Sequence, residues 1–175
     1  MPGGFAAFGA GGGPSRHYAQ PAYQAGTVPT ALARAGSREG ASRVTPDVAM
    51  LGDLSTGLKV GLEFDGQYVE VPIAGTSLAS PLFVASVALA QQRSGRHFGF
   101  LNPVLYSANG ALRDVRPIHP TATAILLSDP IELTTFDYHG PENTLATAPG
   151  YDDVTGLGSA DGVRFLRALE EAGRR

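Results

Sequence analysis

The hydrophobic period changes within residues 57–92, and this change constrains the fold more than any other feature of the chain. In GLKVGLEFDGQYVEVPIAG (57–75), apolar and polar residues alternate on both sides of Asp65-Gly66. Alternation around an Asp-Gly pair is typical of a β-hairpin with a two-residue turn. The sequence therefore predicts two antiparallel strands, which lead directly into a segment of a different kind.

That next segment has the pattern of a buried helix. Residues 80–92 are apolar on nearly every side, and the Ser-Gly pair at 94–95 provides a stop. Proline is tolerated in a helix only near its start, so the pattern places Pro81 in the first turn. The predicted helix begins at Ser80 and ends before Gly95.

Ser77 lies at the junction of the two patterns, in IAGTSLASP (73–81). A serine there can be a hydrolase nucleophile, because the unpaired N–H groups and the positive dipole end of the helix can stabilise an oxyanion. It can equally be a helix cap, as can Ser80. A cap explains one serine but not the Gly, Thr, Ala and Pro around it, which favours the nucleophile.

The rest of the chain divides into a loop-rich N-terminal part and several short elements. Residues 1–42 are rich in Gly, Ala, Ser and Arg and read mostly as loop. The predicted organisation is a lead-in (1–42), a strand, hairpin and nucleophile helix (43–95), a further region of short elements (111–161) and a terminal helix (162–175). The elements predicted in addition to those above are a helix over 28–35 with Thr27 as cap and Gly36 as stop, a buried strand over 43–50, a short helix ending at Gly110, and a hairpin formed by ATAILLSD (122–129) and IELTTFDY (131–138).

Composition excludes several classes of function. The formal net charge is −3, and no block of like charges is longer than a pair, so we expect no nucleic-acid partner and no acidic membrane surface. The longest apolar run, PLFVASVALA (81–90), is too short to span a bilayer, and the N-terminal stretch does not have the form of a signal peptide. The chain has no cysteine, which excludes disulfides and thiolate metal sites.

Four motifs resemble one family in the family's own order. GTSLASP fits the pattern Gly-Thr-Ser-x-Ala-x-Pro, which sedolisins and, in outline, subtilisins share. The flanking motifs favour the sedolisin family of serine-carboxyl peptidases. Those flanking motifs are GGGPSRHYAQPAYQ (11–24), RVTPDVAMLGDLSTG (43–57) and PGYDDVTGLGS (149–159).

The resemblance implies a fold, an activity and a location. It implies an α/β fold with a subtilisin-like parallel sheet flanked by helices, of which this chain is the C-terminal half. It implies a serine-type peptidase with Ser77 as nucleophile, a peptide or protein substrate, and secretion. Because the motif around 75–81 is shared in outline, a subtilisin-type fragment with an Asp-His-Ser triad is a less favoured alternative.

The resemblance also implies one calcium ion and makes 111–161 the calcium-binding region. Its ligands would be the carboxylates of Asp114 and Asp152 and the carbonyls of Val115, Ala148 and Gly150. Calcium prefers six or more hard oxygen ligands, which such a set with added water can supply. Without the resemblance, two aspartates this far apart fit a cap and a turn residue better.

The acid pair that activates the serine in sedolisins has no counterpart in this sequence. The family's Glu, Asp and oxyanion Asp would all lie before residue 1, so we expect a fragment whose partner is the missing N-terminal half of the domain. A catalytically dead remnant or binding piece is the alternative. A histidine base is disfavoured, because the four histidines are scattered without a recognisable spacing: His17, His97, His119 and His139.

Overall fold

The computed structural model describes residues 10–35, 40–53, 57–116, 123–127, 133–137, 145 and 147–172, with the segments 123–127 and 133–137 as backbone only. The chain forms two compact units, each made of two stretches of sequence. One comprises Met1–Asp47 and Asp114–Leu157, and the other comprises Val48–Arg113 and Gly158–Arg175. Both units contain helices and strands, so the chain is a mixed α/β protein, as the predicted α/β class requires.

The first unit begins with strand β1 (Gly13–Ala19), which pairs antiparallel with β2 (Ser42–Thr45). Helix α1 (Thr30–Arg34) lies between them in sequence. It confirms the helix predicted over 28–35, although Pro29 and not Thr27 is the residue before its first turn; the predicted stop, Gly36, lies outside the described residues. The strand predicted over 43–50 ends at Thr45, because the next residue is a proline, which has no N–H for the ladder.

A buried glutamine side chain completes the edge of β2. Gln24 is fully buried; its side-chain Nε2 donates to the carbonyl of Val44 (2.8 Å), and the N–H of Val44 donates to its Oε1 (3.0 Å). The amide thus bonds Val44 as a neighbouring strand would. In the same unit, β6 (Thr123–Leu127) and β7 (Leu133–Asp137) pair antiparallel, which confirms the predicted second hairpin.

The second unit contains the hairpin predicted around Asp65-Gly66. Strands β3 (Leu58–Phe64) and β4 (Gln67–Ile73) pair in register along their whole length. Both turn residues have positive φ, 50° at Asp65 and 70° at Gly66, as a two-residue type I′ turn requires. The prediction is confirmed, and β4 ends four residues before Ser77.

Helix α2 runs from Thr76 to Ser94, and it starts four residues earlier than predicted. Pro81 is therefore inside the helix and not in its first turn, which corrects the prediction. The end is as predicted, since Gly95 follows in the left-handed conformation with φ 67°. No helix in the described part of the chain is both long and apolar enough to cross a membrane.

Helix α2 packs against the C-terminal helix α4 (Gly162–Ala172). The rings of Phe83 and Phe165 lie 5.6 Å apart, and Ala90, Phe165 and Leu169 are buried. Helix α3 (Asn102–Ser107) ends before Gly110, and β5 (Leu112–Arg113) pairs with β8 (Ser159–Ala160). The burial of these apolar side chains holds the helix that carries Ser77 in place.

Every named sheet in the described residues has two antiparallel strands. The one parallel contact among them is a single bridge between Ala49 and Ser159. The subtilisin-like parallel sheet thus stays a prediction.

Candidate active site

A glycine turn joins the hairpin to helix α2 and places Ser77 at the start of the helix. Gly75 is the residue before the first turn, with φ 81° and ψ 180°, a conformation that is essentially restricted to glycine. Its N–H donates to the carbonyl of Gly52 (3.0 Å), which fixes the turn within its own unit. A Cβ at Gly75 would meet nothing within 4 Å, so the space in front of the turn is open.

Ser77 is the second residue of α2, and its side chain is exposed. The first amides bonded at this end are those of Leu78 and Ala79, both of which donate to the carbonyl of Gly75 (3.0 Å). Among the described residues, neither the N–H groups of Thr76 and Ser77 nor the Ser77 hydroxyl has a hydrogen-bond partner. Because Gly75 occupies the capping position, the alternative that Ser77 or Ser80 caps the helix is wrong.

No base bonds to this hydroxyl in the described part of its unit. His97 follows the other end of α2, and its Nδ1 bonds to Oε1 of Gln91 (3.1 Å), which lies roughly 20 Å along the helix axis from Ser77. Glu70 on the hairpin pairs with Lys59 (3.6 Å). His119 and His139 lie outside the described residues, as do the acidic residues Glu39 and Glu142.

The first unit contains a carboxylate in the opposite situation. Asp152 is 2% exposed, and its Oδ1 accepts the N–H groups of Val154 (2.9 Å) and Thr155 (2.7 Å). The Thr155 hydroxyl donates to it as well (3.1 Å), and Oδ2 accepts the N–H of Ala148 (3.0 Å). We call residues 147–157 the Asp152 loop, because this one carboxylate closes it.

Hydrogen bonds link four of the five predicted calcium ligands at this loop. Oδ2 of Asp114 accepts the N–H of Gly150 (3.1 Å), so both carboxylates bond the stretch that carries Ala148 and Gly150. The other oxygen of Asp114, Oδ1, is buried and has no hydrogen-bond partner among the described residues. Val115 follows Asp114 and is half-buried.

The donor chemistry fits a calcium ion in part. Asp114 offers one unused carboxylate oxygen, whereas both oxygens of Asp152 already accept protein donors. No group of three or more His, Cys, Asp or Glu side chains in the described ranges is arranged to hold a metal. A calcium ion here would therefore depend on backbone carbonyls and water, which are ligands that calcium accepts.

Sequence reasoning did not identify the residues that hold the Asp152 loop against its own unit. The Tyr151 hydroxyl donates to the carbonyl of Pro46 (2.8 Å), and the N–H of Leu157 donates to that of Asp47 (2.8 Å). The bonds from Thr155 to Asp152 could have been found from the sequence, because aspartate side chains often bond to backbone and side-chain groups a few residues away. The contacts of Tyr151 and Leu157 had none, since they join residues more than a hundred positions apart.

The chain is similar to several known peptidases. The relatives with significant similarity are named as peptidases or as members of one peptidase family. Kumamolisin of Bacillus sp. (strain MN-32) is 37% identical over 161 residues, which are 91% of this chain and 25% of that protein. Tripeptidyl-peptidase 1 of Canis lupus familiaris is 32% identical over 172 residues, 91% of this chain and 27% of its own length.

The family follows from these relatives together. Tripeptidyl-peptidase sed5 of Aspergillus fumigatus is 34% identical over 170 residues, 91% of this chain and 25% of its own. The chain belongs to the sedolisin family of serine-carboxyl peptidases, as its four motifs predicted. No protein-family model matches the chain. The chain spans about a quarter of the length of these three relatives.

Proposed function

We propose that Ser77 is the nucleophile of a serine-type peptidase that cleaves peptide or protein substrates. One observation supports this above the others. The hydroxyl is exposed and unpaired among the described residues, behind a glycine turn and beside two unpaired N–H groups at a helix N-terminus. Such N–H groups are suited to stabilise the oxyanion that forms when a hydroxyl attacks a carbonyl.

In this proposal Ser77 attacks the scissile carbonyl, and the N–H of Ser77 donates to the oxygen that becomes negative. The hydroxyl proton must pass to a base as the new C–O bond forms. We assign that base to a glutamate oriented by an aspartate, the sedolisin arrangement, supplied by the N-terminal half of the domain. That segment would also complete the parallel sheet, and secretion fits the family.

The two alternatives differ in their base. In a dead remnant no base reaches Ser77 in any assembly. In a subtilisin-type fragment a histidine would serve, and the position of His97 beyond the far end of α2 argues against it within the second unit. The chain would hydrolyse nothing alone under either the main proposal or the dead-remnant alternative.

We also propose a structural calcium ion held by Asp114, Asp152 and the carbonyls of Val115, Ala148 and Gly150. The buried Oδ1 of Asp114 supports it, since this oxygen accepts no hydrogen bond among the described residues, while Oδ2 of the same carboxylate faces Nε of Arg116 at 3.8 Å. When bound, the ion would supply positive charge to two neighbouring carboxylates. The backbone N–H groups of Ala148 and Gly150 would keep the loop closed by their bonds to the same carboxylates.

The test of the main proposal is Ser77-dependent peptide hydrolysis at acidic pH. The coding DNA upstream of residue 1 is read in all frames for Glu-x-x-x-Asp and Ser-x-Gly-Asp, and the chain is assayed with and without that upstream segment. We expect activity only with the segment, and a loss of at least about 10³-fold in Ser77→Ala. Ser80→Ala is the matched control, because Ser80 is exposed on the same helix and bonds to nothing described.

Each other outcome has a clear meaning. Hydrolysis that survives Ser77→Ala would refute the role of Ser77. Robust Ser77-dependent turnover by the chain alone would refute an external base. No turnover in any assembly would favour the dead remnant.

A further inference from the structure

Gln24, the last residue of the motif at 11–24, has a polar side chain in the interior of the first unit. It is fully buried, and its carboxamide bonds to both the carbonyl and the N–H of Val44, at 2.8 Å and 3.0 Å. On the other side of β2, Val44 pairs with Pro14, which has no N–H to donate. Without the carboxamide, the buried N–H of Val44 would lose its acceptor and the carbonyl would lose this donor, which is a costly change.

Two residues just after the end of β2 hold the Asp152 loop. The carbonyl of Pro46 accepts the Tyr151 hydroxyl (2.8 Å), and the carbonyl of Asp47 accepts the N–H of Leu157 (2.8 Å). These two carbonyls lie two and three positions beyond Val44. A displacement of this end of β2 would therefore displace the acceptors of the loop as well.

The start of the motif at 11–24 reaches the loop directly. A Cβ at Gly12 would overlap the carbonyl oxygen of Asp153 and would crowd that of Thr45 (2.7 Å). A glycine is needed where the backbone approaches two other segments so closely. The motif thus contacts β2 near both of its ends, and it contacts the loop near one of them.

We infer that Gln24 is a positioning residue for the Asp152 loop and for the calcium ion proposed there, and the part that concerns the ion rests on that proposal. By bonding the N–H and the carbonyl of Val44, the carboxamide fixes the end of β2 and, with it, the two carbonyls that hold the loop. A loop already held in its binding conformation binds a ligand more tightly, because less free energy is lost in ordering it. Loss of the carboxamide should therefore weaken calcium binding, although Gln24 lies outside the proposed ligand set.

Gln24→Met tests the inference, because methionine has a similar length and flexibility but cannot make these two bonds. Two quantities are measured on the 175-residue chain. One is the calcium affinity, from competition with a fluorescent chelator, and the other is hydrogen exchange at the amides of Val44, Thr155 and Leu157. Val28→Ala is the matched control, because Val28 is buried in the same unit and its truncation lowers stability without removing a hydrogen bond to β2.

We expect Gln24→Met to raise the calcium dissociation constant roughly three- to thirtyfold, the effect of one to two lost hydrogen bonds. Exchange of all three amides should accelerate at least about tenfold more than exchange at the amide of Ala33 in α1, which reports on the unit as a whole. Val28→Ala should lower the thermal midpoint, change the calcium dissociation constant by less than about twofold, and accelerate the three amides no more than Ala33.

Gln24→Glu is a second variant for the case that Gln24→Met does not fold. A neutral carboxyl group offers Val44 the same one donor and one acceptor, and burial raises its pKa. Its contribution to stability is present at acidic pH and is lost as the pH rises through the raised pKa. We expect the loop amides to be as protected as in the unsubstituted chain below about pH 4, and to lose at least about tenfold more protection than that chain by about pH 8.

The possible results separate the inference from the proposed metal site. Faster exchange at Val44 alone, with Thr155 and Leu157 unchanged, would limit Gln24 to a local bond and overturn the inference. Faster exchange of the loop amides with unchanged calcium affinity would refute the role of Gln24 toward the ion. An unsubstituted chain that binds no calcium would refute the proposed metal site, whereas the exchange of the loop amides would still decide whether Gln24 positions the loop.

Discussion

The turn at Ser77 and the Asp152 loop are both polar sites in short glycine-containing motifs, yet their key side chains have opposite surroundings. The Ser77 hydroxyl is exposed and bonds to nothing among the described residues. The Asp152 carboxylate is 2% exposed and accepts three backbone N–H groups and a hydroxyl. The hydroxyl is left available for a reaction, whereas the carboxylate is bonded to its own loop.

This difference indicates that the Asp152 motif contributes to stability and that the Ser77 motif is available for activity. A carboxylate with several donors stabilises the loop, because those N–H groups, among them that of the buried Thr155, would otherwise lose their acceptor. An exposed hydroxyl contributes little to folding and can act on a substrate. Substitutions should therefore separate stability from activity according to the site.

Removal of the Asp152 carboxylate should produce the largest loss of stability. Asp152→Ala leaves the N–H groups of Ala148, Val154 and Thr155 without their acceptor, and we expect a cost of about 3–5 kcal/mol in the free energy of unfolding. Denaturant titration gives the value. Asp152→Asn keeps one acceptor oxygen and should cost distinctly less.

The comparison with Ser77 supplies the control. Ser77→Ala should change the free energy of unfolding by no more than about 0.5 kcal/mol. Equal destabilisation by the two alanine substitutions would show that the contrast between the sites is not energetic.

The glycines of the two sites should respond differently to alanine. Gly156 has φ 64°, and a Cβ there would lie 2.5 Å from the carbonyl of Asp47. Gly156→Ala therefore incurs both strain and overlap, about 2–4 kcal/mol. Gly75→Ala incurs strain without overlap, about 1–3 kcal/mol, and should also lower any Ser77-dependent activity.

Unfolding titrations of both variants measure the difference, and the same preparations serve for the activity assay. Gly66→Ala at the open hairpin turn is the control. If Gly156→Ala lowered the free energy of unfolding no more than Gly66→Ala does, the close contact of the loop with residue 47 would be refuted.

The hairpin and the end of α2 could be predicted because their signals are local. Alternation and Asp65-Gly66 determine β3 and β4, and Gly95 ends the helix in the left-handed conformation that glycine favours. The prediction for the start of α2 is wrong, because the tolerance of proline in a first turn places Pro81 there, whereas the helix begins five residues before it. The turn is instead set by a tertiary bond from Gly75 to Gly52, which no local pattern reports.

The candidate sites were predictable to different degrees. Ser77 follows from its motif and position, and the structure adds that its hydroxyl is unpaired within the described part. The contact of Asp114 with Gly150 spans 36 positions, so spacing alone could not predict it and only the family resemblance did. The Gln24 bonds to Val44 were not foreseen, since a buried amide that replaces a strand has no sequence period.

Calcium should stabilise the chain by a smaller amount. A ligand that binds only the folded state raises the free energy of unfolding by about 1–3 kcal/mol at 10 to 100 times its dissociation constant. We expect chelation to lower the thermal midpoint, and Asp114→Asn to abolish that effect while the protein still folds. Asp114 is the sharper test than Asp152, because its removal orphans fewer donors. A midpoint unaffected by calcium in the unsubstituted chain would refute the metal site.

The smallest effect comes from one substitution made at both sites. Thr155→Val removes the hydroxyl that donates to Asp152 and keeps the shape of the side chain, so it should cost about 1 kcal/mol. Thr76→Val, one residue before Ser77, removes an exposed hydroxyl without a described partner and should be neutral within about 0.5 kcal/mol. Both side chains are β-branched before and after the change, so the difference between the two free energies of unfolding isolates the hydroxyl bond. A difference of zero would mean that the backbone N–H groups alone hold the Asp152 carboxylate, and that Thr155 contributes to the loop only by its N–H and its packing.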